Sequence, residues 1–452
     1  MAILVWAPLP FASNREWSGA LLCLLVAVLF AVWLILFISG RAQFCRQLWQ
    51  RVRWPLALLV LVQIWVAVQL LPLPRGVVAL LSPQAYAWHI ADGPLRLTLD
   101  QAATQYYLLR GCTITLGFFL ALALVNSHAR VRLFLQVLVF SGTLQATYGV
   151  LMVLSGLEIG FFVEKYAGKG VATGTFVNRN HLAGYLVMCL SAGIGLLLSQ
   201  LARDTAGNWR ERLRRWLRLM LSPKIRLRIY LAVMVVALVL TRSRMGNIAF
   251  FTALAIAGLI ALGSGRRFSW RLMALLSSLF LVDMLILGRW FGFDKLMARL
   301  EQTGVQPIAE EGRYWLDMFT VNYVGDFPLT GSGGGSFYGI FPSYQAPALP
   351  GFYEHAHNDY LEFAAELGIP ALLCLLLFVG VAGWNAVQLQ RSRQTSLYRG
   401  AGFAVTMTLL WAAVHSLADF NLQIPANAFT FVTILALAFS CRALPAPQRK
   451  LG

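Results

Sequence analysis

Long apolar stretches recur from one end of this 452-residue chain to the other, and they constrain its fold more than any other feature. The clearest run over about 18–39, 54–72, 105–126, 133–154, 182–201, 229–241, 247–263, 272–288, 367–387, 402–418 and 427–441. A spanning helix needs roughly 20 apolar residues, and in lipid only helices and closed barrels satisfy the backbone. With 58% hydrophobic and 12% charged residues, the pattern predicts an all-α, polytopic integral membrane protein with about 10–12 transmembrane helices. It excludes an ordinary soluble enzyme. N-terminal transmembrane helices are expected over 1–288 and one large hydrophilic loop, with short helices near Phe291–Gln302 and Arg313–Tyr323, over 289–366. C-terminal transmembrane helices and a tail follow over 367–452.

A net charge of +18 would suggest nucleic-acid binding in a soluble protein, but its distribution says otherwise. Most of the 37 Lys and Arg lie in alternate connectors: Arg41 to Arg53, Arg130 to Arg132, Arg203 to Arg228, Arg266 to Arg271, Arg391 to Arg399, and the tail from Arg442. Among acids these connectors hold only Asp204 and Glu211. That is the positive-inside pattern, which makes them cytoplasmic, with lipid and not nucleic acid as the partner. Trp209–Arg228 reads as an amphipathic surface helix on anionic lipid. The opposite side carries 73–104, 155–181, the turn near 242–246, 289–366 and 419–427. The first 17 residues are too short and Pro-interrupted for a signal peptide. The six cysteines lie in or beside spans, with no metal-type or disulfide-type spacing.

Chemistry should cluster on the low-arginine side. Glu354-His355-Ala356-His357-Asn358-Asp359-Tyr360-Leu361-Glu362 ends the large loop and runs into an apolar helix near Leu367. Ionisable groups at such a boundary are costly to hold and mark substrate chemistry. A His-X-His pair with carboxylates could bind a metal, one histidine could act as a general base, or the pair could be exposed without a role. The Gly-rich stretch Leu329–Ser336 lacks the Lys and Ser/Thr of a P-loop; it reads as a flexible connection that folds the histidines over a cavity.

Two further segments are rich in cations and amides. Thr241-Arg242-Ser243-Arg244-Met245-Gly246 follows an apolar run of only about 13 residues, roughly 20 Å of helix against a core of about 30 Å. Arg242 and Arg244 are therefore expected below the surface, held by phosphate or by protein acids such as Asp283 or Asp419. Asn178, Arg179, Asn180 and His181 open another span and supply donors for a diphosphate or sugar, or a polar cap. The turn His415–Asn421 repeats the mixture of His, Asp and Asn and could help shape a cavity.

Thr-Arg-Ser-Arg-X-Gly after a short span, a large external loop, then His-Asn and Glu-Leu-Gly at a helix start together resemble the O-antigen ligase and polymerase superfamily. The likeness covers about residues 100–440. In the ligase signature, His-[Asn/Ser/Gln] precedes a Gly after nine residues and Gly/Thr/Tyr after three more; His357-Asn358 and Gly368 fit, and Leu372 departs. The resemblance implies a GT-C-like glycosyltransferase of the bacterial inner membrane, multi-pass, with a periplasmic site. It would be inverting and would need no metal or other cofactor. The donor would be a glycan on undecaprenyl diphosphate, and the acceptor lipid A core (ligase) or a second lipid-linked glycan (polymerase). By position, His357 would be the base and Arg244 and Arg313 would hold the diphosphate, with Arg179 a further member. Arg242, Asn178, Asn180, His181, Asn358, Asp359 and His355 would line the substrate. Asp359 and Glu362 could orient His357 or bind the acceptor. A transporter of such lipids is the alternative of another class; it would show charges near the midplane and two repeated halves, whereas no repeat is visible and Asp283 is the one acid well inside a span.

Overall fold

Among the residues that the computed structural model describes (1–89, 94–165, 168–200, 223–264, 307–346, 349, 351–392 and 395–445), nine helices are long and apolar enough to cross a membrane. In chain order the long helices are α1 (Glu16–Ile38), α2 (Arg46–Gln69), α3 (Gln101–Leu124), α4 (His128–Ser155) and α5 (Arg179–Ser199). Then come α6 (Pro223–Leu240) and α7 (Arg244–Ser264). After α8 (Pro307–Asp326) and the short α9 (Asp359–Leu367) come α10 (Ile369–Arg391), α11 (Ser396–His415) and α12 (Pro425–Ala443). This is an all-α polytopic membrane protein. Ten of the expected spans fall on these helices, and the expected loop helix at Arg313–Tyr323 lies within α8. The span expected at 272–288, the helix at Phe291–Gln302 and most of Trp209–Arg228 lie outside the described residues. Helices start earlier than their apolar runs because polar first turns stay helical: α2 takes in Arg46 to Arg53, whose charged ends can reach outward from the headgroup level.

The bundle is layered by burial. In α5 and α12, 89% of the most apolar window is enclosed by protein, and in α11 78%, against 22% in α1 and 28% in α10. A helix apolar all round needs protein or lipid on every side; α5, α11 and α12 take protein, α1 and α10 largely lipid. Small residues set the close approaches, as expected where packing rather than water drives association. A Cβ added at Gly195 of α5 would lie 2.3 Å from the Gly400 carbonyl oxygen of α11, so these backbones touch. One added at Gly246 of α7 would lie 2.7 Å from the Ala183 Cβ of α5. That contact brings the starts of α5 and α7 side by side at one end of the bundle. The N-terminal segment joins the same end, where Thr175 donates to the Pro8 carbonyl at 2.7 Å.

The Gly-rich stretch is not the flexible connection expected of it. Thr330, Ser332 and Ser336 are buried. Ser332 N and Gly333 N donate to the carbonyls of Ala365 and Glu366, each at 3.0 Å. From α2, buried Gln69 donates to the carbonyls of Thr330 (2.7 Å) and Glu366 (2.9 Å), and Trp65 to that of Leu367 (2.8 Å). The glycines are there so that backbones can meet: a Cβ at Gly331 would sit 2.1 Å from the Glu366 carbonyl oxygen. Gly368, between α9 and α10, adopts φ 84°, ψ 158°, and its Cβ would fall 2.3 Å from the Leu329 oxygen. Gly368→Ala is therefore expected to destabilise by about 1–3 kcal/mol or more, since that backbone region is essentially closed to other residues. Thermal unfolding in detergent would check this.

Candidate active site

The site is assembled at the end of the bundle where α5, α7 and α12 begin and α6 and α11 finish. Thr241-Arg242-Ser243-Arg244 makes the turn from α6 to α7. Thr241 and Ser243 are buried and cap it: Thr241 Oγ1 accepts from Ser243 N (3.2 Å) and Ser243 Oγ from Gly246 N (3.1 Å). Alternation then throws Arg242 and Arg244 outward, and both are exposed. This corrects the expectation of sunken arginines. Its premise was a short span, but α6 starts at Pro223 and runs 18 residues, about 27 Å. Arg242 turns through φ 52°, a left-handed conformation rare for a side chain of its kind. Arg179, first residue of α5, is also exposed.

His357 is the other site residue with a left-handed backbone (φ 52°). Asn358 behind it caps α9, its Oδ1 accepting from Tyr360 N (3.2 Å) and Leu361 N (3.3 Å). Asn178 caps α5 in the same way, accepting from Asn180 N at 2.8 Å. Both asparagines cap a helix, satisfying its first free N–H groups. Asn180 itself is half-buried.

Around the Phe420 ring the structure gathers three of the candidates. His355 stacks on it with centroids 4.2 Å apart, while His181 (4.6 Å) and His357 (4.8 Å) meet it edge-on. Beside them lies Asp419, wholly buried, with Oδ1 3.8 Å from His181 Nε2 and 3.7 Å from His357 Nδ1. The Asp419 Oδ2, His357 Nδ1 and His181 Nε2 atoms are buried without a hydrogen-bond partner. Burial opposes the charge on Asp419, but the facing His181 and His357 outweigh it and hold the carboxyl well below the usual range. A carboxylate thus stands behind an imidazole that remains 30% exposed on its outer side.

The carboxylates nearer in sequence do other work. Glu362 pairs with His355 (Nδ1 to Oε1, 2.6 Å) and accepts from Ala356 N at 2.8 Å, fixing the segment that carries His357. Burial works against a charged His355, but the Glu362 carboxylate overcomes it and raises the ring's pKa. Asp359 accepts from Ser416 Oγ (2.8 Å) and Leu422 N (3.3 Å), tying α9 to the turn after α11. Burial lifts its pKa well above the carboxylate range. Neither acid faces the His357 ring; the carboxylate that does is Asp419, its Oδ1 3.7 Å from Nδ1. On α8, Asp317 takes a hydrogen bond from the Asn358 side chain and lies within the electrostatic reach of both Arg313 and His357. Exposed Arg313, one turn earlier on α8, is thereby brought to the histidine's side of the site.

Glu366 is buried beneath the motif, Oε1 accepting from Phe337 N at 3.1 Å and Oε2 without a partner. Burial pushes its pKa to about 8 from 4.5. Because the folded pKa is raised, the stability linked to its proton is complete below pH 4.5 and is lost as pH rises toward about 8. Glu366→Gln cannot ionise, so its melting temperature relative to wild type is expected to climb across that window; a flat difference would contradict the assignment.

Sequence reading passed over Glu362 as the partner of His355, Asp317, Glu366 and Phe420. It set Asp419 beside the arginines, whereas the structure sets it behind two histidines. The available signal was an acid between two spans on the low-arginine side, flanked by His415 and Asn421. No curated protein matches the chain. Residues 229–376, about a third of its length, match the family model described as O-antigen ligase. Arg244, Arg313, His357 and Gly368 all lie inside the matched segment, and the match supports the resemblance to the O-antigen ligase superfamily.

Proposed function

We propose that the chain is a glycosyltransferase of the inner membrane. It moves a glycan from undecaprenyl diphosphate to a hydroxyl of lipid A core, with its site on the periplasmic face. The observation that carries this is the half-buried His357 ring, 30% exposed, with Nδ1 facing a buried carboxylate, Asp419, 3.7 Å away. Such a gap is common in unliganded enzymes and closes around substrate. Held that way, the ring offers its outer nitrogen, Nε2, to an acceptor hydroxyl. The hydroxyl proton passes to Nε2 as the oxygen attacks the anomeric carbon, and the carbon–oxygen bond to the diphosphate breaks. Asp419 stabilises the imidazolium that results, and the proton later leaves to water. The diphosphate departs with its charge met by Arg244 and Arg313, helped by Arg179 and Arg242, so no metal ion is needed. His181 completes the buried pair on Asp419. Attack opposite the departing diphosphate inverts the anomeric centre.

A polymerase, in which a second lipid-linked glycan is the acceptor, is the second reading. Leu372, in the first turn of α10 at the position where the ligase signature has Gly, Thr or Tyr, favours it. Purified protein mixed with donor alone, and with donor plus lipid A core, separates the readings. Ligation gives product only with core, polymerisation a ladder from donor alone, and transport no covalent product in either tube.

A further inference from the structure

An apolar cleft opens within the membrane region between α2, α3, α10 and α12, roofed by α9, with a volume of about 140 Å³. That is the scale of a cavity able to take a benzene-sized guest. Its walls include Ile114, Phe378 and Val432, but its upper end is polar. Arg110 lies nine residues into α3, about 14 Å from the helix start, yet its guanidinium reaches the Gln423 carbonyl, just ahead of α12. An arginine inside a membrane span marks a functional site by default.

Two amides beside it lack partners: Gln63 Oε1 and Gln423 Nε2 are buried with no hydrogen bond, and Gln423 is 5% exposed. Such atoms are costly in lipid unless a guest satisfies them. Gly111 leaves the room: a Cβ there would lie 2.1 Å from Gln63 Oε1. A cation, a free donor and a free acceptor at the head of an apolar slot complement a lipid bearing a phosphate and a hydroxyl above a hydrocarbon chain. The slot also abuts the site. Leu422 and Gln423 follow Phe420, and Phe363 and Leu367 lie on the helix capped by Asn358. None of its lining comes from α5, α7 or α8, which carry Arg179, Arg244 and Arg313.

We propose that this cleft seats the head end of the acceptor lipid, with the first carbons of one chain between the apolar walls and the phosphate on Arg110 and Gln423. The proposal rests on the glycosyltransferase reading: two lipid-borne substrates must reach one histidine from the bilayer, and the arginines that meet the donor's diphosphate lie on other helices. The test reads binding without transfer, so it can fail while glycosyl transfer stands. Full-length wild type, Arg110→Gln and Thr115→Trp in detergent are examined by native mass spectrometry, with lipid A and separately with undecaprenyl phosphate. Thr115 lines the cleft, so a tryptophan there would fill it. Expected is lipid A binding weakened by about tenfold or more in both variants, with undecaprenyl phosphate binding unchanged. Should Thr115→Trp fail to fold, Arg110→Gln decides alone. Wild type that does not bind lipid A, variants that bind it normally, or an equal or greater loss of undecaprenyl phosphate would each overturn the proposal.

Discussion

Asp419→Asn is expected to lower kcat by about 10²–10⁴-fold, with the donor KM little changed, because a general base loses most of its worth when its orienting carboxylate goes. Asparagine keeps the shape of the site but withdraws the charge that faces His357 at 3.7 Å and His181 at 3.8 Å. An imidazolium forming on His357 would then lack its counter-charge. Asp419 makes no contact by which it would hold the diphosphate, so a rise in donor KM with kcat intact would show that its role is binding. The substitution should leave the fold standing, since the Asp419 Oδ1 bond from Phe420 N (2.9 Å) can be made by an amide oxygen. Monodisperse protein with a wild-type melting curve is the control.

The spans were legible in the sequence because their signal is local: each is a run of apolar residues long enough to cross lipid. The ends were less so. Polar first turns such as Arg46 to Arg53 stay helical at the headgroup level, where hydropathy sees only charge. The same blindness made α6 look short and led to arginines placed too deep. The histidine motif was legible as unusual chemistry at a boundary, but its internal partnerships were not. Glu362 is five residues from His357 and Asp419 is sixty-two, yet the distant acid faces the ring. Helical geometry explains this. Glu362 lies on α9 and reaches back to His355 and Ala356, while the turn after α11 delivers Asp419 from behind. The Gly-rich stretch misled in the opposite sense. Glycines suggest mobility when read alone, but here Gly331 lets the Glu366 carbonyl come within 2.1 Å of a would-be Cβ and Gly333 does the same for the Thr98 hydroxyl, a requirement set by elements far away in the chain.

His357→Ala carries the largest expected loss. Removing the proposed base should leave the arginines and the donor in place, so turnover should fall by about 10²–10⁴-fold or more while donor binding persists. The side chain is 30% exposed and has no hydrogen-bond partner on Nδ1, so little of the fold depends on it. The left-handed backbone at this position is no more costly for alanine than many turns tolerate, and the Asn358 cap is untouched. The most direct measurement is single-turnover transfer from undecaprenyl-diphosphate glycan to lipid A core in excess chelator, with wild type and His357→Ala side by side. Wild type should form the glycan–core product at an undiminished rate, and the variant none above background. Equal rates in the two proteins, or a wild-type rate that returns only when a divalent ion is restored, would contradict a metal-independent transfer driven by His357.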